Sequence, residues 1–128
     1  MQALVTGGAQ GIGYKIVESL INDGFSITIF DINPETLNKA KTSFGCKVFE
    51  VDVSIESDVK QALSQLHTLD VLVNNAGIWK PEFLKSLDIA TQKTVWETNV
   101  IGTLNLSLIH ISEPTRRTPI SYAVFCLK

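Results

Sequence analysis

The sequence predicts an α/β protein with a parallel, doubly wound sheet, on three observations. Short apolar, β-branched runs alternate with segments whose apolar residues recur at helical spacing. Turn and capping residues punctuate nearly every junction. The order βαβαβαβα demands crossover helices, and right-handed crossovers make 3-2-1-4 the expected strand order for half of such a sheet.

Each element has its own reason. Ala3–Thr6 is a short apolar strand running into Gly7 and Gly8. Ile12, Ile16, Val17, Leu20 and Ile21 form a helical stripe that Gly24 closes. Phe25–Phe30 is rich in β-branched and aromatic residues, as strands are. Asn33-Pro34 starts a helix, with Asn as N-cap and Pro at the first helical position. Leu37, Ala40 and Phe44 make its buried stripe and Gly45 ends it. Val48–Val53 is a third strand. Ser54 is expected to cap the next helix, with Ile55, Val59, Ala62, Leu63 and Leu66 facing inward. His67 is expected at the carboxyl end of that helix, where the dipole favours it. Leu69–Val73 is a fourth strand, and Ile89–Leu104 a further helix after a loop containing Pro81.

Composition narrows the function. The 128 residues suffice for one domain, and 45% hydrophobic content supports a core. A net charge of −2, with acids and bases mixed, argues against nucleic acid or a polybasic membrane patch. No apolar run approaches the roughly 18 residues of a membrane span, and no signal peptide is evident, so a cytoplasmic location is expected. The two cysteines, Cys46 and Cys126, lack metal-ligand spacing; Cys46 is expected as a buried thiol and no metal site is expected.

Thr6-Gly7-Gly8-Ala9-Gln10-Gly11-Ile12-Gly13 joins the first strand to the first helix. Gly7 suits a tight turn, Gly11 lets backbone approach a pyrophosphate, and Gly13 lets helix pack closely on strand. The helix N-terminus offers free N–H groups to phosphate. A strand before and a helix after give the glycines the context of a Rossmann-type dinucleotide site; otherwise they are an ordinary turn. Asp31, 18 residues after Gly13, ends the second strand, where a carboxylate accepts ribose hydroxyls. The alternative is a helix-flanking acid in a loop. Asn74-Asn75-Ala76-Gly77 ends the fourth strand, where two amides would be costly if buried without partners.

These motifs resemble the short-chain dehydrogenase/reductase family, through TGxxxGxG, NNAG and Asn99-Val100-Ile101-Gly102-Thr103, over Met1 to about Asn105. Acetoin/diacetyl reductases and 3-oxoacyl-carrier-protein reductases look similar over this half. The resemblance implies a dinucleotide site of Gly7, Gln10, Gly11, Ile12, Gly13, Asp31, Ile32, Asp52, Val53, Asn75, Ala76 and Gly77, with Asp52-Val53 beside adenine. It implies NAD rather than NADP as cofactor, an alcohol or ketone substrate, a homo-oligomeric parent, and Asn99 as a catalytic residue supporting a water in the proton relay. It also implies a catalytic Ser and a Tyr-x-x-x-Lys, but the tyrosines are Tyr14 and Tyr122, followed four residues later by Glu18 and Cys126. The chain is therefore expected to be a truncated, inactive half. Its fourth strand would keep an open apolar edge that favours aggregation. The rival reading of the parent is a non-catalytic dinucleotide sensor.

The character changes near Leu106, so residues 1–105 are expected as the native domain and 106–128 as a non-native tail. Back-translated, Leu106–Arg116 resembles a transposase end sequence used in sequencing libraries, and Ile120–Leu127 resembles the flow-cell primer that follows it. Arg117, Thr118 and Pro119 fill an index-length gap in the same frame. On this reading the polypeptide as written has no function of its own.

Overall fold

The computed structural model describes residues 1–81 and 86–112, with backbone alone for 109–112. Strand β1 (Gln2–Thr6) leads into helix α1 (Gly11–Asn22), β2 (Ser26–Asp31) into α2 (Pro34–Phe44), and β3 (Lys47–Glu50) into α3 (Glu56–Leu63). Strand β4 (Val71–Val73) is followed by α4 (Ile89–Trp96), a π turn (Glu97–Ile101) and α5 (Gly102–Ser112). The strands are parallel and stand in the order β3-β2-β1-β4, as the element pattern requires.

Side chains alternate across the sheet with the two-residue period of a strand. Leu4, Phe30 and Leu72 pack with Val59, Leu63 and Leu106 on the face covered by α3 and α5. Ala3, Val5, Ile29 and Val73 pack with Val17, Leu37 and Ala40 on the face covered by α1 and α2. Each large side chain buried this way contributes about 1.5–3 kcal/mol. The crossover helices make every strand parallel, and so bring the carboxyl ends of β1–β4 side by side.

Asn33 caps α2: its Oδ1 accepts from the N–H groups of Glu35 and Thr36, at 2.9 and 3.3 Å. Gly45 closes the helix in the left-handed region at φ 62°. Asn33→Ala should cost about 1 kcal/mol in urea unfolding. Asn33→Asp should cost much less, because it keeps the acceptor; equal losses would contradict the capping role of Oδ1.

Several elements differ from expectation. Strand β3 stops at Glu50, and β4 begins at Val71 because the Asp70 carboxylate turns to the Gln2 N–H at 2.6 Å. Ser54 does not cap α3. Its hydroxyl donates to Asp52 Oδ1 at 2.6 Å, leaving Ile55 at the N-cap position, 44% exposed rather than inward. Ile12, in the first turn of α1, is 64% exposed and so lies off the buried stripe. His67 stands beyond the last turn of α3, which ends at Leu63. Cys46 is half-buried, and burial pushes its thiol up.

The single helix expected over 89–104 is broken by the π turn, and α5 continues to Ser112. The change of sequence character at Leu106 coincides with no break in the backbone, and the Leu106 side chain is 1% exposed. The remainder of the tail, 113–128, lies outside the described residues.

Candidate functional site

The carboxyl ends of all four strands meet along one margin of the sheet, and the residues singled out from sequence gather there. Thr6 ends β1, Asp31 ends β2, Asp52-Val53 follows β3, and Asn74–Gly77 follows β4. In an open α/β sheet this margin borders the ligand crevice.

The turn after β1 depends on two glycines. Gly7 has φ 63°, and a Cβ there would lie 2.9 Å from Ala76 Cα. A Cβ on Gly13 would lie 2.1 Å from the Gly7 carbonyl oxygen. Both positions therefore exclude a side chain, one by conformation and contact, the other by contact. Gly11 differs: φ is 57°, and nothing lies within 4 Å of where its Cβ would stand. It leaves open space at the start of α1.

That helix start is chemically open as well. Asn33 caps α2, and Asp88 caps α4 by accepting from Ala90 and Thr91. The hydroxyl and amide of Thr91, with the Ala90 amide, hold the Asp88 carboxyl below its usual range. This favours α4 above the ordinary carboxylate pKa, and the contribution fades as pH falls through the lowered value. Helix α1 has no side-chain cap and no acidic residue in its first turn. Its first N–H groups, unpaired within the helix, therefore remain for an anion.

Asp31 is 7% exposed. Its Oδ2 accepts from the Ala9 N–H and its Oδ1 from the Asn33 N–H, both at 3.2 Å. Each carboxylate oxygen has a further lone pair, so the group retains acceptor capacity for hydroxyls. Ile32 beside it is 63% exposed. Across the β3 loop, Asp52 Oδ1 accepts from both the amide and the hydroxyl of Ser54, and Val53 is buried.

Thr6 and Asn75 join the β1 and β4 ends. Thr6 Oγ1 accepts from the N–H groups of Asn75 and Ala76, at 3.1 and 3.0 Å, and donates to the Val73 carbonyl at 3.4 Å. Asn75 Nδ2 donates to the carbonyls of Thr6 and Gly7, at 3.1 and 3.0 Å. Its amide thus braces the glycine turn. Thr6 was not expected as a site residue, although it opens the TGxxxGxG motif. Thr6→Val should leave two amides without this acceptor, at about 1–3 kcal/mol each if they stay dry. Thr6→Ser should keep most of the stability in the same unfolding measurement. Asn74 is 5% exposed; its Nδ2 reaches Ser107 Oγ at 3.4 Å, and its Oδ1 makes no hydrogen bond to the described residues.

Asn99 lies in the π turn, a geometry that recurs at functional sites. Its Oδ1 accepts from the Ile78 N–H at 2.8 Å and its Nδ2 donates to the Ile78 carbonyl at 3.0 Å. A Cβ on Gly77 would lie 3.2 Å from that Oδ1. The side chain expected to support a relay water is thus engaged in holding the loop after β4. Trp79, next along, is 83% exposed. Among the described residues no His, Cys, Asp and Glu side chains group into a metal-binding cluster, and no helix is long and apolar enough to cross a membrane.

A strand–glycine turn–helix unit in a parallel sheet of order 3-2-1-4 defines a Rossmann-like α/β protein. The chain belongs to the short chain dehydrogenase family, whose model matches residues 1–115. The family is one of oxidoreductases that use NAD(H) or NADP(H). The chain is 40% identical over 111 residues to a diacetyl reductase [(S)-acetoin forming] of Staphylococcus aureus (strain Mu50), covering 80% of this chain and 43% of that enzyme. It is 36% identical over 110 residues to zerumbone synthase of Zingiber zerumbet, covering 78% and 41%. Among solved structures, a Brucella melitensis 3-ketoacyl-(acyl-carrier-protein) reductase complexed with NADH aligns with TM-score 0.78 at 27% identity. That alignment covers 86% of this chain and 48% of the other. The chain spans less than half the length of these relatives.

Proposed function

We propose that this chain carries the dinucleotide-binding part of an NAD-dependent oxidoreductase acting on a small alcohol or ketone. The observation that carries the reading is the uncapped start of α1, open at Gly11, beside the tethered Asp31 carboxylate. Bound there, the nicotinamide supplies hydride chemistry; the protein supplies binding and orientation. The amides of Gly11, Ile12 and Gly13, with Gln10, receive the pyrophosphate. Asp31 accepts the adenosine ribose hydroxyls, with Ile32 alongside. Asp52 and Val53 border the adenine. Asn75, Ala76 and Gly77 flank the nicotinamide side, and Asn99 keeps the Ile78 loop in place for the reacting end. Similarity to a diacetyl reductase and to a reductase crystallised with NADH supports the cofactor and substrate class. A cytoplasmic homo-oligomer is the matching context.

General acid chemistry is a separate matter. Asn99 cannot protonate an alkoxide, and neither Tyr14 nor Tyr122 is followed by lysine four residues on. The polypeptide should therefore bind NADH and fail to oxidise it with diacetyl. Joining residues 1–105 to the carboxyl-terminal half of a related diacetyl reductase should restore turnover. If that hybrid folds and binds NADH without reducing any ketone, the sensor reading is favoured instead. The adapter-like reading of residues 106–128 has its own test, the codons of the gene: synonymous codons unlike the adapter strings would refute it.

A further inference from the structure

Helix α5 touches the loop after β3 at two points, and neither contact is needed to build the sheet. A Cβ on Gly102 would lie 2.6 Å from Val53 Cγ2, so only glycine admits this approach. Further along the helix, Asn105 Nδ2 donates to the Val53 carbonyl at 3.0 Å. Val51 N–H still donates to the Asp31 carbonyl at 2.9 Å; beyond it the loop's other hydrogen bonds are local, from Ser54 to Asp52 and from the Ile55 N–H to the Asp52 carbonyl. Asn105 thus ties the loop to a distant element. The same helical run holds the Ile78 loop through Asn99, in the preceding π turn. One helical run therefore grips the loop after β3 at one point and the loop after β4 at another.

We propose that Asn105 is a positioning residue for the adenine end of the dinucleotide, acting on the Asp52-Val53 loop through the Val53 carbonyl, with Gly102 as the spacer that permits it. The inference deepens the dinucleotide reading and depends on it. The Val53–Ser54 peptide lies past the last bond to a neighbouring strand; Asp52 Oδ1 holds its N–H locally, and the Asn105 amide from α5 is what ties its carbonyl to the rest of the fold. The Ile78 loop has its own tie at Asn99. Loss of the Asn105 contact should therefore be felt at the adenine end alone.

The test titrates the 128-residue chain and its variants separately with adenosine monophosphate and with nicotinamide mononucleotide, by calorimetry or NMR. Asn105→Ala should weaken adenosine monophosphate about two- to tenfold, the scale of one net hydrogen bond, and leave nicotinamide mononucleotide unchanged. Asn105→Asp should be at least as damaging, because it sets an oxygen against the Val53 carbonyl. Gly102→Ala should give the same selective loss, and adding Val53→Ala, which removes the opposing methyl, should reverse it. The second pair reads the contact without altering Asn105, should the first variants fold poorly. An unchanged adenosine monophosphate affinity, or an equal loss for both ligands, overturns the positioning role. If the unsubstituted chain binds neither nucleotide, the dinucleotide reading falls, and this inference with it.

Discussion

Gly13→Ala is expected to disable the nucleotide site and to cost the fold about 1–3 kcal/mol or more, the range for overpacking a filled interior. The new methyl would stand 2.1 Å from the Gly7 carbonyl oxygen and 2.5 Å from Asn75 Nδ2. Both partners are held: Gly7 by its N–H bond to the Phe30 carbonyl at 2.7 Å, Asn75 by its two carbonyl acceptors. The start of α1 must therefore back away from the turn. Displacement of about 1 Å at a positioning element can cost on the order of a hundredfold, and NADH affinity should fall by about that much. Gly24→Ala is the control. Gly24 is also at positive φ, 85°, with nothing within 4 Å of a Cβ. It should lose about 1–2 kcal/mol from backbone strain while keeping its affinity. Urea unfolding and NADH titration of the two variants separate the effects; equal affinity losses would contradict the close-packing role of Gly13.

The second large effect is on cofactor choice. Asp31 should favour NAD over NADP, because NADP places a phosphate where the carboxylate receives hydroxyls. Two unit charges about 4 Å apart repel by ~1 kcal/mol in water and ~4 kcal/mol at an effective dielectric near 20. With ~1.4 kcal/mol per tenfold, the preference is roughly tenfold to a thousandfold. Neither Gln10 nor Ile32 offers a compensating cation. Asp31→Ser should narrow the gap, at some loss of stability, since the carboxylate also accepts from the Ala9 and Asn33 amides. Asp31→Asn keeps the shape and should narrow it too, but its Nδ2 would face one of those two amide N–H groups, so it also costs stability. Equal affinities of the unsubstituted chain for NADH and NADPH would refute the role of Asp31.

The sheet order was legible because alternating apolar periods leave a chain few topologies, and the caps at Asn33 and Gly45 were legible because each does a local job. Gly13 was readable for its close packing for the same reason. Side chains that act across the sequence were not. Even within one loop the sequence leaves a choice, since the Ser54 hydroxyl can cap α3 or bond Asp52 two residues before it. Thr6 and Asn105 bond to carbonyls and amides far along the chain, and a sequence carries no sign of such a partner. The π turn was invisible too, since no proline or glycine stands within Glu97–Ile101. Asn99 was found through its motif, but its bond to both polar groups of the Ile78 peptide belongs to the folded chain alone.

The most direct test of the dinucleotide reading is NMR mapping of ADP-ribose onto the chain, because that ligand carries the ribose, pyrophosphate and adenine without the reacting ring. Saturable shifts should concentrate at the amides of Gly11, Ile12 and Gly13, at Asp31 and Ile32, and at Asp52 and Val53, and Gly13→Ala should suppress them. Saturable shifts elsewhere on the molecule, or none at any of these positions, would contradict it.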